Sequence, residues 1–313
     1  MPRTTNYKFF IAIVAIFIVG LFVYSTKNID NSGLKIPVKN SRLQVVTSFY
    51  PLYFFTTQIV LDKAAVYNIT PAGAEPHDYE PTTRDIAKIE DSQLLVLNGG
   101  KLEAWGENIQ NILSKKNTTI INVGETLINQ DITENDNQMR DPHIWLDPVL
   151  AKKEVEIIAK NISTIDPTNS QFYSDNSKLL INKLENLNNQ FKAGLNNCQK
   201  KDIITSHAAF GYLTREYNLN QITISGLSPD EEPSPKKLAE ITKLAKENQI
   251  NYIFFESLVS PKLANTIAQE IGAKTLVLNP IEGLTDEEIK NGKNYFTEMQ
   301  NNLTNLKIAL ECL

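Results

Sequence analysis

Cysteine and histidine are both scarce. Two cysteines among 313 residues are too few for a disulfide scaffold, and no Cys-x-x-Cys or Cys/His-rich tract suggests a structural zinc site. No block rich in Lys and Arg stands out from a chain of net charge -5, and without a basic footprint nucleic-acid binding is set aside. A His-Glu-x-x-His helix motif is absent, which removes the commonest zinc-hydrolase signature. There is no short-period repeat and no long low-complexity stretch. What is present is ordinary globular material. Apolar residues make up 42% and charged residues 21%, enough to fill real cores, and the length suggests two domains. The only histidines are His77, His143 and His207, and their positions carry most of the functional signal.

The opening residues differ from the rest. Arg3 and Lys8 precede a charge-free apolar run from Phe9 to Tyr24. Residues 1–25 therefore read as a signal peptide or N-terminal membrane anchor, and 26–42 as a polar spacer. Export places the chain in the periplasm or on the outer face of the cytoplasmic membrane. No Cys precedes Cys198, so no lipidated cysteine is expected at that boundary. In an oxidising compartment Cys198 and Cys312 are expected to form a disulfide, worth about 4–5 kcal/mol in the chain-entropy account. Two buried free thiols are the alternative.

From residue 43 onward short apolar runs alternate with helical patterns. Leu43–Phe49, Ala65–Thr70, Gln93–Asn98 and Thr119–Val123 read as strands, with helices at Pro51–Val60, Thr82–Asp91 and Leu102–Ser114. A second series has strands at Asp202–Ser206, Gln221–Ser225, Asn251–Glu256 and Lys274–Asn279. Its helices are Ala208–Tyr217, Pro235–Asn248, Pro261–Ile271 and Asp286–Glu311. This is an α/β chain of two lobes, each with a mainly parallel four-stranded sheet flanked by helices. Between them Leu180, Leu184, Leu187, Phe191 and Leu195 recur every three or four residues, predicting one long joining helix. The expected division is a lobe over 43–167, a linking helix over 168–196 and a second lobe over 197–313. The Asn/Asp/Glu-rich segment Asn129–Asp141 reads as a mobile loop.

His77, His143 and His207 each fall at or beyond the carboxyl end of a predicted strand, where open α/β sheets present ligand-binding groups. Taken singly, a histidine at such a place is more often a loop or cap residue than a ligand. Three of three at such ends, with no other histidine in the chain, favour one shared site. Three imidazoles suit zinc or a related divalent metal and leave a fourth position for a carboxylate. Glu282, Glu256, Glu75 and Asp78 are the candidates. Glu282 follows the last strand between a Pro and a Gly, and Glu256 ends the strand before it. The residues favour Glu282 as ligand, with the others as supporting partners, but composition alone does not choose.

Five motifs then combine: Pro76-His77-Asp78-Tyr79-Glu80-Pro81, His143-Ile144-Trp145-Leu146-Asp147-Pro148, Ser206-His207-Ala208-Ala209-Phe210-Gly211-Tyr212, Phe254-Phe255-Glu256 and Asn279-Pro280-Ile281-Glu282-Gly283-Leu284. Together they resemble the zinc/manganese solute-binding proteins (cluster A group) of bacterial ABC importers, over about residues 43–311. The resemblance implies a metal in the cleft between two lobes, held by His77, His143, His207 and Glu282. It implies an ABC permease with its ATPase as partners. Many zinc-specific relatives carry a histidine-rich loop where this chain has Asn129–Asp141, which contains no histidine. Three nitrogens and one carboxylate still favour zinc as the bound cargo, with manganese next.

The expectation is a monomeric, non-enzymatic capture protein in which metal ties the lobes together and the long helix restricts closure to a small tilt. Two other classes compete with it. A zinc hydrolase would need an open metal position and a base such as Glu256 or Glu75. A metal-dependent surface adhesin would bind host matrix, for which no residue speaks.

Overall fold

The computed structural model describes residues 42–113, 118–129, 131–134 and 137–313. The expected leader 1–25 and the spacer as far as Ser41 lie outside the described residues.

The first lobe starts with β1 (Leu43–Thr47), α1 (Tyr50–Val60), β2 (Ala64–Asn68), α2 (Thr83–Glu90), β3 (Leu94–Leu97), α3 (Gly106–Leu113) and β4 (Thr119–Asn122). All four strands are parallel, in the order β2-β1-β3-β4. Two short antiparallel strands follow, β5 (Asp131–Glu134) and β6 (Asn137–Arg140), with Asp131 opposite Arg140. The segment expected as a mobile loop is therefore built on a hairpin, which its polar composition hides from period-two reading.

Two long antiparallel helices come next, α4 (Pro148–Ile165) and α5 (Ser170–Leu195). Asp147 caps α4 by accepting from the Val149 N–H at 2.8 Å, and Asp166-Pro167 ends it. The α5 stripe Leu180, Leu184, Leu187, Phe191 and Leu195 is buried as the spacing predicts, and Tyr173 is buried with it. The second lobe then runs β7 (Asp202–Thr205), α6 (Gly211–Glu216), β8 (Asn220–Thr223), α7 (Pro235–Glu247), β9 (Tyr252–Phe255), α8 (Lys262–Ile271), β10 (Lys274–Val277), α9 (Asp286–Lys290) and α10 (Tyr295–Ala309). Its sheet is again all parallel, ordered β10-β9-β7-β8.

The helix expected over Asp286–Glu311 is in fact two. Gly292 sits at φ +83, a conformation that ends α9, and Asn294 opens α10 by accepting from the Phe296 and Thr297 N–H groups. Likewise Gly99, Gly100 and Lys101 all take positive φ, so the chain turns before it can coil and α3 begins only at Gly106.

Strand alternation distributes the core. Val45, Leu94 and Val96 face a central cluster, whereas Val46, Leu95 and Leu97 face an outer one with Trp105 and Ile109. The second sheet repeats this: Ile203 and Phe254 face the central cluster, and Ile204 and Ile253 face an outer layer under α7 and α8. The central cluster is continuous from Phe49 and Phe55 through α4 and α5 to Phe210, Leu278 and Tyr295. The two lobes thus share one core. A Cys198–Cys312 disulfide staples the end of α5 to the last turn of the chain, as expected.

Candidate metal centre

Parallel strands that all run one way deliver their following loops to one edge of each sheet. His77 comes from the loop after β2, His143 from the stretch after the β5–β6 hairpin, His207 from the turn after β7 and Glu282 from the turn after β10. These four offer ligand atoms that all lie within 4.8 Å of one another. His143 Nε2 stands 3.2 Å from His77 Nε2, 3.4 Å from His207 Nε2 and 3.2 Å from Glu282 Oε1. Glu282 Oε1 is 3.4 Å from the Nε2 atoms of both His77 and His207. A tetrahedron with bonds of about 2.0–2.1 Å has edges of about 3.3 Å, so the hole has the size of a four-coordinate zinc ion.

The outward nitrogens are fixed by carboxylates. Asp141 Oδ1 accepts from His143 Nδ1 at 2.8 Å and from the His143 backbone N–H at 3.0 Å. Glu256 Oε1 does the same for His207, at 2.7 Å from Nδ1 and 3.1 Å from the backbone N–H. A proton held on Nδ1 leaves the Nε2 lone pair pointing inward, which sets both the tautomer and the ring angle for metal binding.

The turn that carries Glu282 is held from several sides. Asn279 Oδ1 accepts from the Ile281 N–H at 2.8 Å, and Asn302 pins the Asn279 backbone from both its N–H (2.8 Å) and its carbonyl (2.7 Å). Ile281 sits at φ +58, costly for a β-branched residue, and such strain persists only where the surroundings over-determine it. Trp145 spans the lobes: its indole N–H donates to the Pro280 carbonyl at 2.7 Å, and its own carbonyl accepts from the Tyr295 hydroxyl at 2.6 Å.

Burial and charge set the titrations. Glu282 is buried, which by itself would raise its pKa, but His207, His143 and His77 together hold it well below the ordinary carboxylate range. His207 is buried too, yet the Glu256 and Glu282 carboxylates carry it well above its usual value. For His143 burial again opposes, and the Asp141 and Glu282 hydrogen bonds outweigh it, leaving the ring raised. Burial dominates at His77 and lowers it.

The remaining expected partners divide. Glu75 accepts from the His77 backbone N–H at 3.3 Å, and burial plus the nearby Glu282 charge push its pKa up to about 9. Asp78 is exposed and shares a hydrogen bond with Asp230 across the rim, not with a ligand, because the turn that points His77 inward points its neighbour out. Two supporting residues escape the sequence reading. Asp141, two positions before His143, reads there only as a loop acid, and Asn279 only as part of a turn. The Asp-Pro-His and Asn-Pro-Ile-Glu spacings are the available signals, since a side chain two residues ahead can return to the following N–H.

Comparison with known proteins agrees with this geometry. The family described as "ZnuA: Zinc-uptake complex component A periplasmic" matches residues 45–309. The high-affinity zinc uptake system protein ZnuA of Bacillus subtilis is 42% identical over 283 residues, covering 87% of this chain and 89% of the relative. The Zn(II)-bound ZnuA-like domain of Streptococcus pneumoniae AdcA superposes with a TM-score of 0.76 at 41% identity, over 86% of this chain and 99% of that domain. Against whole AdcA this chain spans only 56% of the relative's length. The laminin binding protein Lmb of Streptococcus agalactiae, described as having adhesin and metal transporting activity, gives a TM-score of 0.78 at 34% identity over 86% of this chain and 99% of that one. Two matching parallel sheets, a long joining helix and a His/His/His/Glu tetrad at their common edge agree with that match: the chain belongs to the ZnuA family of periplasmic zinc-uptake components of ABC importers.

Proposed function

We propose that this chain captures one zinc ion between its lobes outside the cytoplasmic membrane and hands it to an ABC permease driven by an ATPase. The observation that carries this reading is the tetrad itself. Four ligand atoms from both lobes lie within 4.8 Å of one another, five of their six separations at 3.2–3.4 Å, with His77 and His143 from one lobe and His207 and Glu282 from the other. Three neutral nitrogens and one carboxylate in a tetrahedral hole suit zinc, whereas manganese sites take more oxygen and more ligands. All four positions are filled by protein, which leaves no open coordination site for a catalytic water and argues for carriage over hydrolysis.

In this reading the protein binds as a monomer, with lobes at 43–167 and 197–313 and a linking helix at 168–196. Residues 1–25 serve as leader or anchor. The ion is gripped from both sides, and the shared core beneath it keeps closure small. Release follows when docking on the permease separates the ligands of one lobe from those of the other. Titration of the purified chain with Zn2+ against a chromophoric chelator tests it: one ion per chain is expected, and His207→Ala should weaken binding by more than the about 10–100-fold that loss of a supporting hydrogen bond costs. Binding of His207→Ala at wild-type strength, or chelator-sensitive turnover of an ester or peptide, would turn the reading over.

A further inference from the structure

One side chain of the second lobe ties down both ends of the β5–β6 hairpin segment. The Tyr212 hydroxyl, in α6, accepts from the Asn129 backbone N–H at 3.0 Å and donates to the Asp141 carbonyl at 3.1 Å. Its ring is wholly buried against Leu127, Ile128, Ile144 and Leu150, all of the first lobe. Arg215, one turn further along α6, lies over that ring at 5.2 Å and donates to Asn129 Oδ1 at 3.1 Å. Asp141 is the residue whose carboxylate fixes the His143 ring. A lobe-two hydroxyl is therefore one peptide unit from the group that orients a lobe-one ligand, on the same segment that presents His207.

The geometry points to Tyr212 as a positioning residue for the metal centre, acting through Asp141 on His143 and closing the hairpin segment against the second lobe. The inference rests on the tetrad being the zinc site. The physical argument is one of placement. Asp141 ends a long excursion from the main sheet, just past β6, so the angle of its carboxylate depends on what anchors its own backbone. The Tyr212 hydroxyl is that anchor. Its bond to Asn129 closes the excursion at the other end, so that movement of the segment and rotation of His143 are coupled to the contact between lobes. Lobe separation breaks both hydrogen bonds of the hydroxyl, which would free Asp141 and loosen His143 at the moment of release. Supporting hydrogen bonds of this kind change metal affinity by about 10–100-fold.

Tyr212→Phe tests this, because it removes the oxygen and keeps the buried ring. Three readouts are taken on the purified full-length protein. Zn2+ affinity by chelator competition is expected to fall about tenfold. The Co2+ d–d absorption band, which reports ligand geometry and not global stability, is expected to shift. Trypsin cleavage after the exposed Arg140, followed by mass spectrometry on metal-free protein, is expected to accelerate. A Phe variant with wild-type zinc affinity and an unchanged cobalt band overturns the inference, whatever the cleavage rate. Wild-type protein that binds no zinc would instead overturn the functional reading beneath it.

Discussion

The two lobes are the same circuit built twice. In each, the first strand lies inside the sheet between the second and third, and the fourth lies at an edge: β2-β1-β3-β4 in one, β8-β7-β9-β10 in the other. The fourth strand leads to a ligand in both, His143 and Glu282, and the third leads to a residue that supports the site. Asn98 follows β3 and donates to the Pro142 carbonyl at 2.9 Å, beside His143, and Glu256 follows β9 and bonds to His207. What differs is the length of chain between strand and ligand. From β10 to Glu282 is a tight, over-held turn, whereas from β4 to His143 the chain makes a detour that includes the hairpin. The lesson is that topology chooses where ligands emerge, and loop length decides how much each depends on help from across the cleft. The Glu282 turn is held mainly by Asn279 and Asn302 of its own lobe, whereas the His143 stretch is tied across the cleft by the Tyr212 hydroxyl, with the Trp145 indole to Pro280 linking the two.

The largest test of that asymmetry is the staple that only the second lobe carries. Replacing Cys198 and Cys312 with Ser should lower unfolding stability by about 4–5 kcal/mol, read as a drop in melting temperature, while zinc affinity of the folded protein stays close to wild type. An equal collapse of affinity would show that the second lobe is not rigid without it. Next come the paired supports. Glu256→Gln and Asp141→Asn should each weaken zinc by about 10–100-fold, with the Glu256 change at the upper end because a short turn cannot relax around a mispaired His207. Competition titrations rank them, and the reverse order would break the comparison. Acidification should act third. His143 and His207 are held above the ordinary histidine range, so protons compete with zinc from above pH 6.5 downward, each displaced proton costing about tenfold per pH unit. His77, lowered by burial, adds no competition there. Affinity that is flat from pH 7.5 to 6 would show that the carboxylates do not hold those protons.

Much of this architecture is legible in the residues alone. Both sheets are readable because most strands are short apolar runs such as Leu94–Leu97, with alternation that serves two cores, and the stripe from Leu180 to Leu195 declares the joining helix. The three histidines are legible as one site by position alone, since parallel sheets bring strand ends together. Local backbone exceptions are harder. Gly292 stops a helix whose apolar spacing continues on its far side, and Ala208 to Phe210, expected as helix, form a bend after His207 with the Ala208 N–H bonded to the Gly226 carbonyl at 2.7 Å, so that α6 begins only at Gly211. The supports Asp141, Asn279 and Tyr212 are not legible as such. Each acts through hydrogen bonds whose partners are chosen by tertiary placement, and the Tyr212 hydroxyl meets residues 83 and 71 positions away. Periodicity reports faces, not single bonds.

The seam between the lobes offers the smallest and sharpest test. Glu154 lies on the buried face of α4 beside Val155 and Ile158, is fully inaccessible, and among the described residues has no hydrogen-bond partner on either carboxylate oxygen. Burial pushes its pKa well above the ordinary carboxylate range, with the Asp147 charge adding to the effect. Below the unfolded value of about 4.5 the group is protonated in both states and costs nothing through ionisation. As pH rises past that point the unfolded chain releases the proton and the folded chain keeps it, so stability falls with rising pH until the folded group titrates. Glu154→Met, similar in volume and without a charge to desolvate, should therefore stabilise the metal-free protein by about 1 kcal/mol at neutral pH, with a gain that shrinks toward pH 4.5. Melting curves in the presence of a chelator at pH 5 and pH 8 read both the sign and the trend. A destabilised Met variant would mean that the carboxyl has a partner, and that the seam is held by a polar contact instead of by the shared apolar core.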